Sequence, residues 1–421
     1  MKVFGILLGW LVFALPTLLN AAPENGAKER LVAETFYRCY APHAQRSVSD
    51  TPIKKVFDSH ILFPASSHTE SPTFQAFSFD RGGFVIVSSE GSGCRILGYS
   101  FDSSLSGMLP PPMLDYLTEV DSQIRAKEYA PLSSSEAGNE VVRLHTAAWG
   151  QDDPFNRLCT TANGSRALTG CVPTAYAILM QFHKWPLCAV EKKVYHSGTA
   201  EALLLGHPYD WDNMLSSYSG SFTEEQAVAV ATLMRDLGYA YGVDYGVYST
   251  PSGLGGEGAA KLIEFFDYRC ESPDVSSSTC ATVRDVLSND RLWKSYIRQS
   301  LDAGCPIPYS SSASSGRHIF ILDGYTDNDY FHFNWGWNGN GNGYFPLNEM
   351  KPDASSNYSR SHRAYFMLKP NRDDTSIERV NDNCSPDSKI IYQINGIRVQ
   401  HPHVSGVYIV NGRPVWIDTT P

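Results

Sequence analysis

The chain has 421 residues, 42% hydrophobic and 19% charged, an ordinary globular balance that excludes a fibrous or disordered protein. Its formal charge is −10 and it has no run of Lys or Arg, so a nucleic-acid binder, which must displace counterions from phosphates, is excluded as well. Two or three domains fit this length.

Lys2 opens an apolar run over 3–19, followed by small residues through Ala21 and Ala22. This pattern predicts a secretory signal peptide over 1–22 and a location outside the cytoplasm, secreted or in the cell envelope. Gly9 and Pro16 interrupt the run, which is short of the ~20 residues of a membrane span. No later segment is apolar enough to cross a bilayer.

Residues 23–140 read as a small α+β segment. A strand-like run lies at 83–88 and another at 96–99, followed by a Ser/Gly/Pro loop. Apolar residues at 114, 117, 120 and 124 then predict a helix over 113–127. The small, polar stretch 133–138 reads as an exposed linker, where proteolytic processing concentrates. From 141 to 369, helical patterns come first (172–184, 223–237, 258–266 and 291–303) and strands follow over 319–345. Such segregation predicts an α+β domain. Residues 370–421 form a polar linker and a small β-rich tail, with strands at 390–394 and 406–410 next to turns at Asn395-Gly396 and Asn411-Gly412.

Nine cysteines are present, and an odd count in an exported chain leaves at least one outside internal pairing. No CxxC occurs, so zinc-knuckle and thioredoxin chemistry find no support, and no metal or organic cofactor is expected.

The chemistry points to Cys171. Proline is tolerated in the first turn of a helix, so Pro173 fixes the start of the 172–184 helix beside Cys171. A thiol there faces the positive end of the helix dipole, which favours the nucleophilic thiolate. Taken alone, a buried structural cysteine or a disulfide partner would be the commoner explanation. A second constellation changes the balance. His318 opens a strand-like run to Tyr325, four turn residues follow, and a second run leads from Tyr330 to Trp337, which together make a hairpin. With Tyr325 facing Tyr330, alternation puts Phe333 and Trp335 on the face of His318 and Asn334 on the other. Asn334 would then reach the imidazole only through a bulge or a one-residue slip. Gln151, upstream in 149–156, could donate to an oxyanion together with the Cys171 N–H. His43, His183 and His332 read as ordinary histidines.

These segments resemble the streptopain family of bacterial cysteine proteases, which share a papain-like fold. The resemblance rests on TGCVPTAYAILMQFHKWP (169–186), WGQDDPFN (149–156), HIFILDGY (318–325), YFHFNWGW with GYF (330–345) and YDWDNM (209–214). The segment 84–120 is similar to that family's inhibitory prosegment. The resemblance implies a papain-like catalytic domain over 141–369 preceded by an inhibitory propeptide, with Cys171 as nucleophile, His318 as general base and acid, and Gln151 as oxyanion donor. It implicates Trp335 in holding the histidine, with Asn334 as the papain-like alternative. The expected partners are protein or peptide substrates and the chain's own propeptide, acting as an intramolecular inhibitor.

Three features depart from the family pattern. Arg317 stands where glycine is usual, the loop 338–343 is turn-rich and expected to be mobile, and the tail is additional. That tail resembles C-terminal segments of exported Bacteroidetes proteins, some of them sorting signals. Two rival functions have some footing in the sequence. A nucleotide-binding protein draws on the GxGxxG match at 253–258, but no strand leads into it and no βαβ unit surrounds it. A catalytically silent binding protein or adhesin on the same scaffold is opposed by the intact Cys/His/Gln/Trp set.

Overall fold

The computed structural model describes residues 26–42, 52–64, 71–89, 95–126, 137–197, 201–251, 258–271, 281–283, 290–313, 316–347 and 362–372, together with five short strands of the tail. The signal peptide, His43, most of the linker at 133–138 and most of the GxGxxG match lie outside these residues.

In chain order the N-terminal part contains α1 (Ala27–Tyr40), β1 (Ile53–Asp58), α2 (Ser59–Leu62), β2 (Phe74–Phe79), β3 (Phe84–Ser88), β4 (Ile96–Ser100) and α3 (Pro111–Ala126). Then follow β5 (Glu140–Arg143), α4 (Cys171–His183), β6 (Lys193–Val194), β7 (Leu203–Leu204), α5 (Glu224–Ala240), α6 (Ala260–Phe266), β8 (Tyr268–Cys270), β9 (Ala281–Val283) and α7 (Asp290–Asp302). Next come β10 (Ile307–Ala313), β11 (Gly316–Thr326), β12 (Tyr330–Asn334), β13 (Gly343–Pro346), β14 (Arg363–Tyr365) and β15 (Leu368–Pro370). The tail strands are β16 (Glu378–Arg379), β17 (Ile391–Gln393), β18 (Arg398–Val399), β19 (Gly406–Val410) and β20 (Arg413–Ile417), which form a sheet of their own. The fold is α+β, with its helices segregated from an antiparallel sheet.

One sheet runs β1-β2-β3-β4-β13-β12-β11-β10-β14-β9, so the N-terminal strands extend the sheet that carries His318. The junction is the pair Tyr99↔Tyr344, whose rings stack at 5.4 Å. β11 is the axis of the site. β10 covers its first half, from Gly316 to Leu322, and β5 takes over the same edge from Gly324 to Thr326. Side chains alternate across β11 as a pleated strand requires. Ile319 and Ile321 enter a core shared with α4 and α5, whereas Phe320 and Leu322 enter a core shared with α3 and the β12–β13 aromatics. Two helices therefore pack on opposite faces of one strand.

The hairpin differs from expectation near its turn. Tyr325 pairs with Phe331 rather than Tyr330, because a bulge between Leu322 and Gly324 absorbs one residue. Toward His318 the ladder returns to the expected register, with Ile321 opposite Asn334. Asp323 sits in the bulge.

α4 forms where sequence predicts it, and every residue from Val172 to Met180 is buried. A helix apolar on all sides belongs in the middle of a core. Truncating Leu179, which is fully buried, to Ala would cost about 2–5 kcal/mol.

Candidate active site

Cys171 is the first helical residue of α4, half-buried against the core and outside any disulfide. Gly170 precedes it with φ 89° and ψ 156° and supplies no side-chain cap. A Cβ at this position would lie 2.7 Å from Thr250 O, so the backbone enters the helix along a path only glycine takes comfortably. The first backbone bond of the helix is Thr174 N–H to Gly170 O, 3.2 Å. Pro173 has no N–H to leave over, and the Cys171 and Val172 amides have no partner within the helix. Donors and a thiol thus share one helix mouth.

The Gln151 segment lies alongside. Thr169 N–H donates to Gln151 O at 3.1 Å, a backbone contact that brings the Gln151 segment two chain positions from Cys171. Trp149 is fully buried, and its indole N–H donates to Leu215 O at 2.7 Å, anchoring this segment. On the other flank, Leu168 N–H donates to Gly246 O at 3.0 Å, and the Thr250 hydroxyl donates to Leu168 O at 2.8 Å.

His318 stands near the start of β11, opposite Ser311, with its side chain 23% exposed. Its Nε2 lies 3.5 Å from the Asp115 carboxylate of α3. Burial lowers the imidazole pKa, and the negative charge of Asp115 works against that shift. The neighbouring Arg317 guanidinium donates to Ser310 Oγ at 3.1 Å.

Trp335 is buried among Phe320, Phe333 and Phe345, with ring centroids at 4.9, 4.9 and 5.4 Å. Its indole N–H donates to Gly341 O at 2.8 Å, and its backbone N–H to Asn342 Oδ1 at 3.0 Å. Asn334 turns the other way. Its two amide hydrogens go to Thr146 Oγ1 and Ala147 O, both at 2.9 Å, and its Oδ1 accepts from Gly336 N–H at 3.2 Å.

Sequence reasoning missed the group behind Asn334. Asp323, fully buried, accepts from Arg143 Nη1 (2.6 Å), Thr146 Oγ1 (2.5 Å) and His332 Nδ1 (2.6 Å). Burial disfavours its charge, but His332, Arg143 and Thr146 outweigh that penalty and hold the carboxyl far below its ordinary range. A charged residue inside the apolar run 319–325 was the available signal, since a buried carboxylate needs partners. Asp115 was missed too, as one acidic residue in an amphipathic helix.

The loop 338–343, expected to be mobile, ends in β13 at Gly343 and is hydrogen-bonded on two sides. Asn338 N–H donates to Trp149 O at 3.0 Å, and Asn340 bonds the backbone of Ser106 and Met108. Among the described residues, no group of three or more His, Cys, Asp or Glu is placed to hold a metal ion, and no helix is long and apolar enough to cross a membrane.

Comparison with known proteins finds similar chains. Residues 149–345 match the Peptidase C10 family. The chain is 26% identical over 379 residues to streptopain of Streptococcus pyogenes, covering 82% of this chain and 91% of that protein. It is 28% identical over 380 residues to a thiol protease/hemagglutinin of Porphyromonas gingivalis, covering 84% of this chain but 42% of that protein. Among solved structures it resembles a prointerpain A fragment from Prevotella intermedia, with a TM-score of 0.58 and 24% identity, over 76% of this chain and 98% of that one.

Proposed function

We propose that this cysteine-type peptidase, whose residues 149–345 match the Peptidase C10 family and which is similar to streptopain, is an exported endopeptidase made as a self-processing proenzyme, with Cys171 and His318 as its reacting pair. The observation that carries this reading is the thiol at the uncapped mouth of α4, with the Gln151 segment hydrogen-bonded beside it.

In this reading the Cys171 thiolate attacks a peptide carbonyl, forming the S–C bond of a tetrahedral intermediate. The Gln151 side-chain amide and the Cys171 N–H donate to its oxyanion. His318 gives a proton to the leaving amine as the C–N bond breaks, then takes one from the water that releases the acyl group. Nε2 of His318 faces Asp115, so Nδ1 is the nitrogen that exchanges a proton with the thiol. Trp335 shelters the imidazole from water. Asn334 positions the hairpin through Thr146 and Ala147 instead of touching the imidazole, since both its amide hydrogens are engaged there.

The N-terminal segment acts as an inhibitory prosegment in this scheme. What supports it is α3, which brings Asp115 to His318, and the sheet continuity through Tyr99 and Tyr344. The apolar run over 3–19 supports export.

The test is Cys171→Ala in the full chain. Casein cleavage and self-maturation should both disappear while the thermal transition of the proenzyme stays in place. Residual casein cleavage by the purified variant would refute the assignment. Thiol labelling distinguishes the silent-adhesin alternative, for which Cys171 would react no faster than an ordinary cysteine.

A further inference from the structure

The loop 338–342 has no part in the steps above, yet most of its outer polar groups are directed at main chain. It links β12 to β13 between the Gln151 segment and Trp335. On the inner side, Asn338 Nδ2 donates to Asp152 Oδ1 at 2.8 Å, and Trp335 holds Gly341 O through its indole. On the outer side the loop grips the segment 103–108. Gly341 N–H donates to Ser104 O at 2.9 Å, and Asn340 Oδ1 accepts from Ser106 N–H at 3.0 Å. Asn340 Nδ2 donates to Ser106 O (2.9 Å) and to Met108 O (3.0 Å), and Gly339 O accepts from the Ser103 hydroxyl (2.5 Å).

On the outer side, all of these contacts but the Ser103 hydroxyl go to main-chain atoms. An asparagine amide that accepts from one residue's N–H and donates to the same residue's C=O imitates a β-strand partner. Strand-like pairing of this kind gives affinity without reading side chains. An extended peptide carries the same groups at the spacing of Ser104 to Ser106, whereas the bond to Met108 O depends on the turn at Gly107, with φ 59°.

The loop also lies on a defined side of the scissile bond. A leaving amine is protonated by the imidazole, so residues beyond the bond depart past His318. Trp335, on the Phe320 face of β11, ties the loop to that side, whereas residues 246–250 close the opposite flank at Leu168 and Gly170. We infer that Asn340, with the backbone of Gly339 and Gly341, is a substrate subsite that reads peptide main chain on the leaving-group side, and that residues 104–108 occupy it in the proenzyme. This rests on the Cys171/His318 assignment and adds a binding residue to it. The subsite selects for length of peptide beyond the bond, not for sequence.

The experiment compares two substrates on the matured protein. One is an internally quenched peptide with four residues beyond the cleaved bond. The other is the same acyl part as an aminomethylcoumarin amide, with no residue beyond it. Asn340→Asp removes both donors at constant size, and Asn340→Ala removes the whole amide. Each variant should reduce the ratio of kcat/KM, long over short, about tenfold, through KM. An unchanged ratio, or an equal loss on both substrates, overturns the subsite. A measurement on the unsubstituted protein covers the case of poor folding. Ester replacement or N-methylation, scanned along the four residues, should slow the long substrate several-fold at one or two positions, and indifference at all four overturns the proposal. Failure of the unsubstituted protein to hydrolyse even the short amide would bring down the Cys171/His318 assignment and the subsite with it.

Discussion

His318 Nε2 and the Asp115 carboxylate lie 3.5 Å apart, which joins the histidine of the site to a helix that precedes the linker in sequence. Both side chains are partly shielded, and the contact puts a negative charge where the imidazole would carry a positive one during turnover. In the proposed scheme, α3 as part of a prosegment thereby engages the chemistry of the site.

Asp115→Asn tests that engagement. Burial depresses the His318 pKa and the Asp115 charge opposes it, so removing the charge should lower the imidazole pKa further. Imidazole NMR titration in the full-length Cys171→Ala background measures the shift. An upward movement would contradict the assigned contact. In the chain with Cys171 intact, self-maturation should accelerate several-fold, because a partly exposed pair contributes about 1 kcal/mol to holding the helix.

The Asp323 group should govern acid stability. Its folded pKa is depressed, so its contribution is complete above the unfolded value of about 3.9 and is lost as pH falls through and below it. Asp323→Asn leaves Arg143 buried beside a neutral amide and should cost about 3–5 kcal/mol at pH 7. Denaturant unfolding at pH 7 and pH 3 would show the penalty shrinking at the lower pH. A pH-independent penalty would show that charge is not what matters at this position.

His207 gives the opposite slope. Its pKa is raised, chiefly by the hydrogen bond to the fully buried Asp236 at 2.8 Å. The stabilisation is complete below the unfolded value of about 6.5 and is lost as pH rises through the elevated folded value. His207→Ala should therefore lower Tm more at pH 6 than at pH 9. Equal losses at the two pH values would assign the effect to packing against Tyr209.

Gly170→Ala forces a side chain into a positive-φ position and against Thr250 O. A cost of about 1–3 kcal/mol follows from the backbone alone. Since the helix mouth carries both the thiol and its N–H, kcat should fall at least tenfold beyond any loss of folded protein. Calorimetry beside active-site titration separates the two. A variant with unchanged kcat per titrated site would show that the helix entry tolerates displacement.

Much of this was legible in the chain because the signals are local. Pro173 places the start of α4 whatever packs around it, and the period-3.6 pattern beyond it marks a core helix. The β-branched and aromatic runs at 319–325 and 330–334 mark the hairpin. Strand parity separates Trp335 from Asn334 without coordinates, and the hydrogen bonds of Asn334 lie on the far side from Phe320. The register near Tyr325 was misread because the bulge at Asp323 depends on Arg143, Thr146 and His332. Two of those residues lie some 180 positions away.

Sequence by itself determined which residue types stand at the mouth of α4 and at the head of β11, since helix capping and pleat alternation are set by neighbours a few positions apart. Tertiary structure alone decided what faces them. Asp115 at His318, Asn340 on the backbone of Ser106, and Thr146 between Asp323 and Asn334 are contacts of high sequence separation, and no local pattern encodes a hydrogen bond whose partner arrives on another element. These are also the contacts on which the restraint and selectivity proposed here depend.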